Sequence, residues 1–432
     1  MAKKIVCGYV LTLTGANGAT ALMGQADSAI AFDDQGKILA VGPKTQIQKQ
    51  FPAADCQDYG DKVILPGFID LHSHPPQLDI IGSFGDQLLP WLEQHTYPKE
   101  IEFAQPAVAK KTAARYLRWN LQAGITCGVW FSTSNLAATL TLCEQAATAG
   151  VRAIIGKTSM DQHGPKELLV EVSQEKDQWS KLLEAKQAGT WPKVELAVTP
   201  RFAPACSKEL LTFLGDLLKR EPALYGQTHV SENKGEIALA AKVHPGHTSY
   251  TATYDDYGLL TGKTILAHGI HLTEAETDLL QRRNAAIAHC PTSNLFLGSG
   301  LYPLAKHSAQ GLEKVGLATD IGAGTTLCFW ETMRAAYGIA HLQDQVLAPE
   351  ELLALATVGA ATALGKENFL GQLREGFVAD WQVINWRDGG VLENQIDQAQ
   401  SSEDVLKALL ALGSYRLTDA VYVAGERVWQ AE

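Results

Sequence analysis

An alternation of strand-like and helix-like segments runs through the middle of this 432-residue chain. The strand-like segments are VILPGFIDLHSH, GITCGVWFS, VRAIIGKTSM, VELAVTPRF, ALYGQTHVSE, KTILAHGIHL, AAIAHCPTSN and VGLATDIGAG. Helix-like segments between them cover residues 103–123, 135–149, 207–219, 273–282 and 327–342. Alternation of this kind builds a parallel sheet, and eight repeats predict a closed (β/α)8 barrel of the TIM type. A doubly wound open sheet is the alternative, but no GxGxxG turn follows any of the strands.

The two ends of the chain have a different pattern. Short β-rich runs bounded by turns fill the first ~60 residues, and ADWQVINW and DAVYVAGERVWQ follow the same pattern near the other end. These runs predict a small β domain built from both termini. We therefore expect three segments: residues 1–65 and 369–432 in the β domain, and residues 66–368 in the barrel.

Composition excludes some classes of protein. A formal net charge of −11 argues against a nucleic-acid surface, which needs clustered Lys and Arg. Seven scattered cysteines without a CxxC pair indicate reduced thiols and a cytoplasmic location. The N-terminal segment lacks the long apolar core of a signal peptide, and no run of 18 apolar residues predicts a membrane span.

Polar residues follow most of the strand-like segments where each one ends. His72 and His74 end the first, and the others contribute Arg201, Phe202, His229, Glu232, His268, His289 and Asp320. In a barrel the carboxyl ends of the strands and the loops that follow them meet at one opening. The sequence therefore predicts that these side chains, although distant in sequence, form a single site.

The His-x-His spacing of His72 and His74 predicts a metal site. Side chains two apart on a strand point to the same side, so both imidazoles face the opening. Together with His229 and Asp320 they form a three-histidine, one-carboxylate set suited to Zn²⁺. Any one of these histidines alone would more often be a structural polar residue than a ligand, and the prediction depends on the joint pattern. His271 is assigned to a loop or supporting role.

Several segments carry a family resemblance. The pieces are PGFIDLHSHPPQ, LLPWLEQHTYPKE, TPRFAPACS, THVSENKGEI, TSYTATYDDYGLLTGKTILAHGIHL, HCPTSNLFLGSG and ATDIGAG. With them the chain resembles the metal-dependent amidohydrolase superfamily and, within it, the guanine deaminase family. The resemblance implies a β-sandwich beside the barrel, one Zn²⁺ per subunit and a homodimer.

The resemblance also implies roles for single residues. Its metal ligands correspond to His72, His74, His229 and Asp320. It assigns catalytic roles to three residues. Glu232 corresponds to a proton-shuttling glutamate, His268 to a histidine beside the bound water, and Asp320 is the third. Substrate contacts fall on His74, Gln77, Arg201, Phe202, His229, Glu232 and Asp320. Trp91, His289 and Asn294 read equally well as pocket residues and as structural ones.

These residues predict hydrolytic deamination of guanine to xanthine and ammonia, with a small-molecule purine as the only partner besides a second subunit. A pterin, 8-oxoguanine or a triazine-like ring is the alternative substrate class. An inactive scaffold is a second alternative, although the metal-ligand positions are all filled. Nucleic-acid editing is disfavoured by the acidic charge and by the absence of the HxE…PCxxC signature.

Overall fold

The computed structural model describes residues 4–15, 21–85 and 87–432. By its internal contacts the chain divides into two compact units. One unit comprises Met1–Ile69, Arg118–Cys127 and Cys328–Glu432, and the other comprises Asp70–Leu117 and Gly128–Leu327. Boundaries after residues 65 and 368 stay a prediction. Within the described ranges, no helix is both long and apolar enough to cross a bilayer.

The described residues form fifteen strands. In chain order they are β1 (Lys4–Thr14), β2 (Ala21–Phe32), β3 (Ile38–Pro43), β4 (Asp55–Pro66), β5 (Phe68–Ser73), β6 (Ile125–Phe131), β7 (Arg152–Ser159), β8 (Val194–Pro200), β9 (Tyr225–Val230), β10 (Thr264–His268), β11 (Ala286–His289), β12 (Val315–Leu317), β13 (Trp381–Ile384), β14 (Thr418–Val423) and β15 (Glu426–Gln430).

The same part of the chain contains seventeen α-helices. They are α1 (Lys44–Gln50), α2 (Leu88–Trp91), α3 (Tyr97–Glu102), α4 (Pro106–Gln122), α5 (Leu136–Ala149), α6 (Val172–Gln187), α7 (Lys208–Arg220), α8 (Lys234–Val243), α9 (Tyr250–Asp256), α10 (Glu274–Arg283), α11 (Pro291–Phe296), α12 (Leu304–Ala309), α13 (Phe329–His341), α14 (Pro349–Ala356), α15 (Val358–Ala363), α16 (Val391–Asp397) and α17 (Ser402–Leu412). Short 3₁₀ turns cover Pro75–Ile80, Lys166–Leu168, Ala203–Ala205 and Tyr415–Leu417, and Leu92–Thr96 is π-helical.

Strands β5 to β12 form the barrel, each next to its sequence neighbour. Every residue of β6 is buried, as expected for a parallel strand covered on both faces. The first and last strands are joined at their ends, because Asp320 N–H donates to His72 O (2.9 Å) and His74 N–H to Ile321 O (2.6 Å). The (β/α)8 prediction is confirmed. The five predicted helices correspond to α4, α5, α7, α10 and α13, with bounds that agree to within three residues.

A seven-stranded sheet joins the two ends of the chain, in the order β15-β14-β13-β4-β1-β2-β3. Its core contains Val10, Ile30, Phe32, Trp381 and Tyr422, all buried. The Phe32 and Trp381 rings meet edge to face at 5.2 Å, a geometry that aromatic pairs favour. The predicted β unit assembled from both termini is confirmed.

A buried ion pair fixes α6 to the barrel strand β7. Lys157 Nζ donates to Glu175 Oε2 at 2.6 Å, while Ser159 Oγ and Trp179 Nε1 donate to Glu175 Oε1 at 2.6 and 3.1 Å. Lys157 and Glu175 are both fully buried. Removing the carboxylate alone leaves an unpaired cation and two unsatisfied donors inside the protein.

Glu175→Ala is therefore expected to lower the free energy of unfolding by about 3–5 kcal/mol, the usual effect of breaking a buried pair. Urea denaturation followed by circular dichroism measures this change. Glu184→Ala, on an exposed position of the same helix, serves as the control and should change stability by less than about 0.5 kcal/mol. Equal effects of the two substitutions would show that the pair does not stabilise the fold.

Candidate active site

Four side chains converge at the carboxyl end of the barrel. His72 lies one residue before the end of β5 and His74 directly follows that strand, while His229 lies on β9 and Asp320 follows β12. The Nε2 atoms of His72 and His74 are 3.0 Å apart, and those of His74 and His229 are 3.2 Å apart. Asp320 Oδ1 lies 3.3 Å from His72 Nε2 and 3.4 Å from His74 Nε2. The structure thus brings together all four residues for which a shared ion was predicted.

The donor atoms of this cluster fit a tetrahedral metal ion. Ligand bonds of 2.0–2.1 Å to zinc place neighbouring donors about 3.3 Å apart, close to the separations observed. Burial lowers the pKa of His74 to about 4, and it also lowers the pKa of His72 and His229, so each ring is neutral. His229 Nδ1 lies 2.6 Å from Arg201 O and donates to it, which leaves Nε2 as a lone-pair donor. Neutral imidazole nitrogens and a carboxylate converging on one point are the donor set of a divalent cation.

Phe131, the last residue of β6, forms an apolar wall against the cluster. Its ring centroid lies 4.9 Å from that of His72, 4.7 Å from His74 and 4.8 Å from His229. Contact with one flat ring restricts the rotamers of all three histidines. Phe131 was not among the predicted site residues, because an aromatic residue in an apolar strand carries no signal beyond burial.

Asp70 supports the cluster from within the barrel. Its Oδ1 accepts from the backbone N–H groups of Thr319 (2.9 Å) and His72 (3.3 Å), and its Oδ2 accepts from Thr319 Oγ1 (2.5 Å). Burial raises the pKa of Asp70 to about 7. The side chain thus ties β5, which carries His72, to the residue before Asp320. Sequence reasoning missed it, although it is the first polar residue of the DLHSH segment.

Glu232 lies beside the cluster without joining it. The side chain is almost fully buried, and its Oε1 accepts from Ser299 Oγ at 3.1 Å. Burial, with a further contribution from the charge of Asp320, raises the pKa of Glu232 to about 8. A protonated carboxyl at neutral pH is a proton donor. Glu232 is therefore a buried residue of the site and not an exposed loop residue.

The start of α8 explains why Glu232 points inward. Asn233 caps the helix, and Glu236 completes a capping box in which its Oε2 accepts the N–H groups of Glu232 (2.9 Å) and Asn233 (3.2 Å). Glu236 thus supplies the acidic side chain in the first turn of this helix. Glu232 is left free to face Ser299 and His268.

His268 bridges the two acidic side chains. Its Nε2 lies 3.4 Å from Glu232 Oε2 and 3.7 Å from Asp320 Oδ2. Its Nδ1 lies 2.9 Å from Asn294 Oδ1. An amide oxygen only accepts, so Nδ1 carries a hydrogen and Nε2 faces the site. Asn294, which the sequence left open between two interpretations, orients this ring.

Gln77, Arg201 and Phe202 line the same pocket as the cluster, together with Trp91. The prediction that the three lie at the site therefore agrees with the geometry. A residue that the sequence did not single out, Glu100, joins two of them: Gln77 Nε2 donates to Glu100 Oε1 at 2.9 Å and Arg201 Nη1 to Glu100 Oε2 at 2.5 Å.

The remaining candidates divide between pocket and support. Trp91 lines the pocket and also packs in the core, with its Nε1 donating to Ser83 O at 2.7 Å. His289 packs its ring 4.8 Å from Tyr302. His271 Nε2 lies 2.9 Å from Ser299 O. Because Ser299 bonds Glu232, His271 supports the loop that contacts Glu232, in line with the supporting role predicted.

Backbone conformation at the site is unusual at three strand ends. Ser231, His268 and Asp320 have φ values of 48°, 73° and 49°, in the left-handed region. For residues other than glycine this conformation costs roughly 1–2 kcal/mol each. The surrounding hydrogen bonds hold these residues there, which aims the side chains of His268 and Asp320 into the pocket.

The family model described as "Amidohydrolase family" matches residues 63–428, most of the chain. The chain belongs to the amidohydrolase family. A guanine deaminase of Escherichia coli (strain K12) is 36% identical over 400 residues, covering 92% of this chain and 90% of that protein. The solved structure of E. coli guanine deaminase is similar with a TM-score of 0.95 and 34% identity, covering 99% of this chain and 100% of the other.

A third relative was solved with a ligand. The guanine deaminase of C. acetobutylicum, crystallised with guanine in its active site, is similar to this amidohydrolase with a TM-score of 0.90 and 30% identity. The similarity covers 99% of this chain and 100% of that one. In both structural comparisons the similarity covers 99% of this chain, so it is not confined to the His-x-His segment.

Proposed function

We propose that this amidohydrolase hydrolyses guanine to xanthine and ammonia. The observation that carries the proposal is that one pocket is lined by three members of the donor cluster and by the side chains of Gln77 and Arg201; the three members are His74, His229 and Asp320. The donor cluster can hold a metal ion for hydrolysis. Gln77 and Arg201 can hydrogen-bond the polar edge of a purine. Guanine deaminases at 34–36% identity over nearly the whole chain support guanine as the ring.

The ion we propose is Zn²⁺, one per subunit, held by His72, His74, His229 and Asp320. Three neutral imidazoles and one carboxylate suit this borderline metal. When bound in such a site, zinc lowers the pKa of a water ligand to about 7 and so supplies hydroxide at neutral pH.

The side chains around the cluster can carry the protons that the reaction moves. Glu232, protonated at neutral pH, gives its proton to a ring nitrogen and makes the amino-bearing carbon more electrophilic. Asp320 accepts the proton of the attacking water and passes it to the departing amine. His268, fixed by Asn294, orients the water through Nε2. The hydroxyl added to the ring returns a proton to Glu232 as the carbonyl of xanthine forms, so one guanine and one water give one xanthine and one ammonia.

Three further side chains hold the ring. Arg201 can donate to the carbonyl oxygen of guanine, and Gln77 can hydrogen-bond another polar position on the ring. Phe202 packs among Tyr97, Met160 and Leu168 and supplies an apolar wall. We assign them to substrate binding, along with His74, His229, Glu232 and Asp320 at the reacting end.

An activity screen tests the proposal. Purified protein loaded with zinc is incubated with guanine, 8-oxoguanine, a pterin and a triazine, and released ammonia is measured. We expect xanthine from guanine, at a higher kcat/KM than any product from the other rings. Turnover of a pterin or a triazine with none of guanine would contradict the proposal, and turnover of nothing by fully loaded protein would favour an inactive scaffold.

Arg201→Ala is expected to lower kcat/KM for guanine about 100-fold or more. The substitution removes a charged donor to the substrate and leaves the buried carboxylate of Glu100 unpaired. Steady-state kinetics measure the effect. Arg283→Ala, which breaks the exposed Arg283–Asp255 pair, is the control and should leave kcat/KM unchanged. An unchanged kcat/KM in Arg201→Ala would place this residue outside substrate binding.

The cellular context forms part of the proposal. We propose a cytoplasmic homodimer that acts in purine catabolism, with a β domain formed by segments 1–65 and 369–432 and a barrel formed by residues 66–368. The seven cysteines, all within the described residues, are not joined in disulfides, which supports a reducing compartment. Light scattering of the purified chain tests the dimer: a mass near twice 46.6 kDa is expected, and a single-subunit mass would contradict it.

A further inference from the structure

Glu100 is a buried carboxylate that contacts two pocket side chains at once. It lies on α3, whereas Gln77 lies in the turn after β5 and Arg201 directly follows β8. Its two oxygens are divided between them, with Oε1 accepting from Gln77 and Oε2 from Arg201. All three side chains are at most 3% exposed. One carboxylate therefore links two segments that are distant in sequence.

This contact determines which end of the Gln77 amide faces the pocket. Paired with the guanidinium of Arg201, the Glu100 carboxyl is ionised and can only accept hydrogen bonds. Gln77 must therefore turn Nε2 toward it. Its Oε1 then points away from Glu100, toward Gly322 N–H at 3.3 Å, and keeps a second lone pair for a ligand. The amide thus offers the pocket an acceptor through Oε1.

The same carboxylate fixes the guanidinium of Arg201. One of its N–H groups is bonded to Glu100, and its Cζ lies 5.1 Å from the centre of the Tyr97 ring. A hydrogen bond at one edge and a ring at close range together restrict the plane of the guanidinium. The other N–H groups then have defined directions. Arg201 offers the pocket donors only.

We propose that Glu100 is a positioning residue that sets the hydrogen-bond pattern of the substrate pocket, with donors from Arg201 and an acceptor from Gln77. The inference rests on the proposed function for the identity of the substrate. The complementary ligand is a neutral ring that presents a carbonyl oxygen to Arg201 and a ring N–H to Gln77. Guanine in its lactam form carries both groups.

A pair of reciprocal substitutions tests this role. In E100Q the oxygen of the new amide must accept the hydrogen bond from Arg201, so the NH₂ group of that amide faces Gln77. Gln77 then turns its own oxygen to that group and presents NH₂ to the pocket, where the substrate also presents N–H. We expect kcat/KM for guanine to fall about 30-fold or more, the effect of one mispaired buried polar contact.

The double variant E100Q/Q77E exchanges the acid and the amide and restores the pattern. The carboxylate at position 77 accepts from the new amide and presents its other oxygen to the pocket, and the net charge of the cluster is unchanged. We expect the kcat/KM of the double variant to be at least tenfold above that of either single variant. In Q77E alone, two carboxylates face each other. Melting temperature and zinc content are measured for each variant, since a purely structural role predicts no such recovery of kcat/KM.

Guanine turnover by the unmodified protein tests the proposed function separately and is measured first. E276Q is the matched control, since Glu276 is another buried glutamate, which bonds Thr251 and Thr273 instead. Its kcat/KM should stay within about threefold of the unmodified protein. With guanine turnover intact, an E100Q variant as active as E276Q, or a double variant no better than E100Q, would overturn the inference.

Discussion

Asp320→Asn is expected to lower kcat/KM for guanine by about 10⁴-fold or more and to lower the bound zinc. In the proposed reaction this one carboxylate serves both to hold the ion and to move a proton. Loss of several kcal/mol of charge stabilisation corresponds to at least about 10³-fold in rate, and loss of proton transfer adds about 10²-fold. Asparagine keeps the shape of the side chain, so the change is one of charge and basicity.

The matched control is Asp161→Asn. Asp161 accepts hydrogen bonds from the backbone N–H (2.7 Å) and hydroxyl (2.5 Å) of Ser207, at the start of α7. The same substitution there should lower the melting temperature and leave kcat/KM within about threefold. Zinc is measured by mass spectrometry and kcat/KM by xanthine formation. Full zinc content with near-normal turnover in Asp320→Asn would remove Asp320 from both roles.

Glu232→Gln is expected to lower kcat by about 10²- to 10⁴-fold while zinc stays bound. Glu232 lies beside the cluster, 3.4 Å from His268, and its raised pKa keeps a proton on it at neutral pH. Glutamine fills the same space and can still bond Ser299, but it cannot give up a proton to the ring. The loss of one general acid is of this size.

The kinetic and metal measurements are made on one preparation of Glu232→Gln. E276Q is again the control, with normal turnover and normal zinc. A Glu232→Gln protein that loses its zinc would show that this carboxyl supports the ion directly. One that retains both zinc and turnover would assign the proton transfer to another group.

The sequence predicted the strands and the cluster for a physical reason. Eight apolar runs, most of them followed by polar residues, predict both the barrel and the end where side chains meet. His72 and His74 are two apart on a strand, so their shared direction follows from backbone geometry alone. For His229 and Asp320, position at a strand end made them candidates, and the joint pattern with the family resemblance selected them. The terminal β unit was likewise visible as short runs bounded by turns.

The supporting residues could not be predicted, because their roles depend on partners far along the chain. Glu100 lies in YPKEIE, which reads as a helix with a charged surface, and only the fold shows it buried against Arg201. Phe131 is one of several apolar residues in the seven-residue strand β6, and nothing in the sequence distinguishes it from the others. The left-handed backbone of His268 and Asp320 is held by tertiary hydrogen bonds. Neither position is a glycine, the residue that would have indicated this conformation in the sequence.

The central claim is that His72, His74, His229 and Asp320 share one metal ion. A crystal of the zinc-loaded protein, with anomalous data collected on both sides of the zinc edge, tests it most directly. We expect one strong anomalous peak about 2.0–2.2 Å from the three Nε2 atoms and an oxygen of Asp320. Zinc bound by other residues, or no peak at this position in protein that turns over guanine, would contradict the claim.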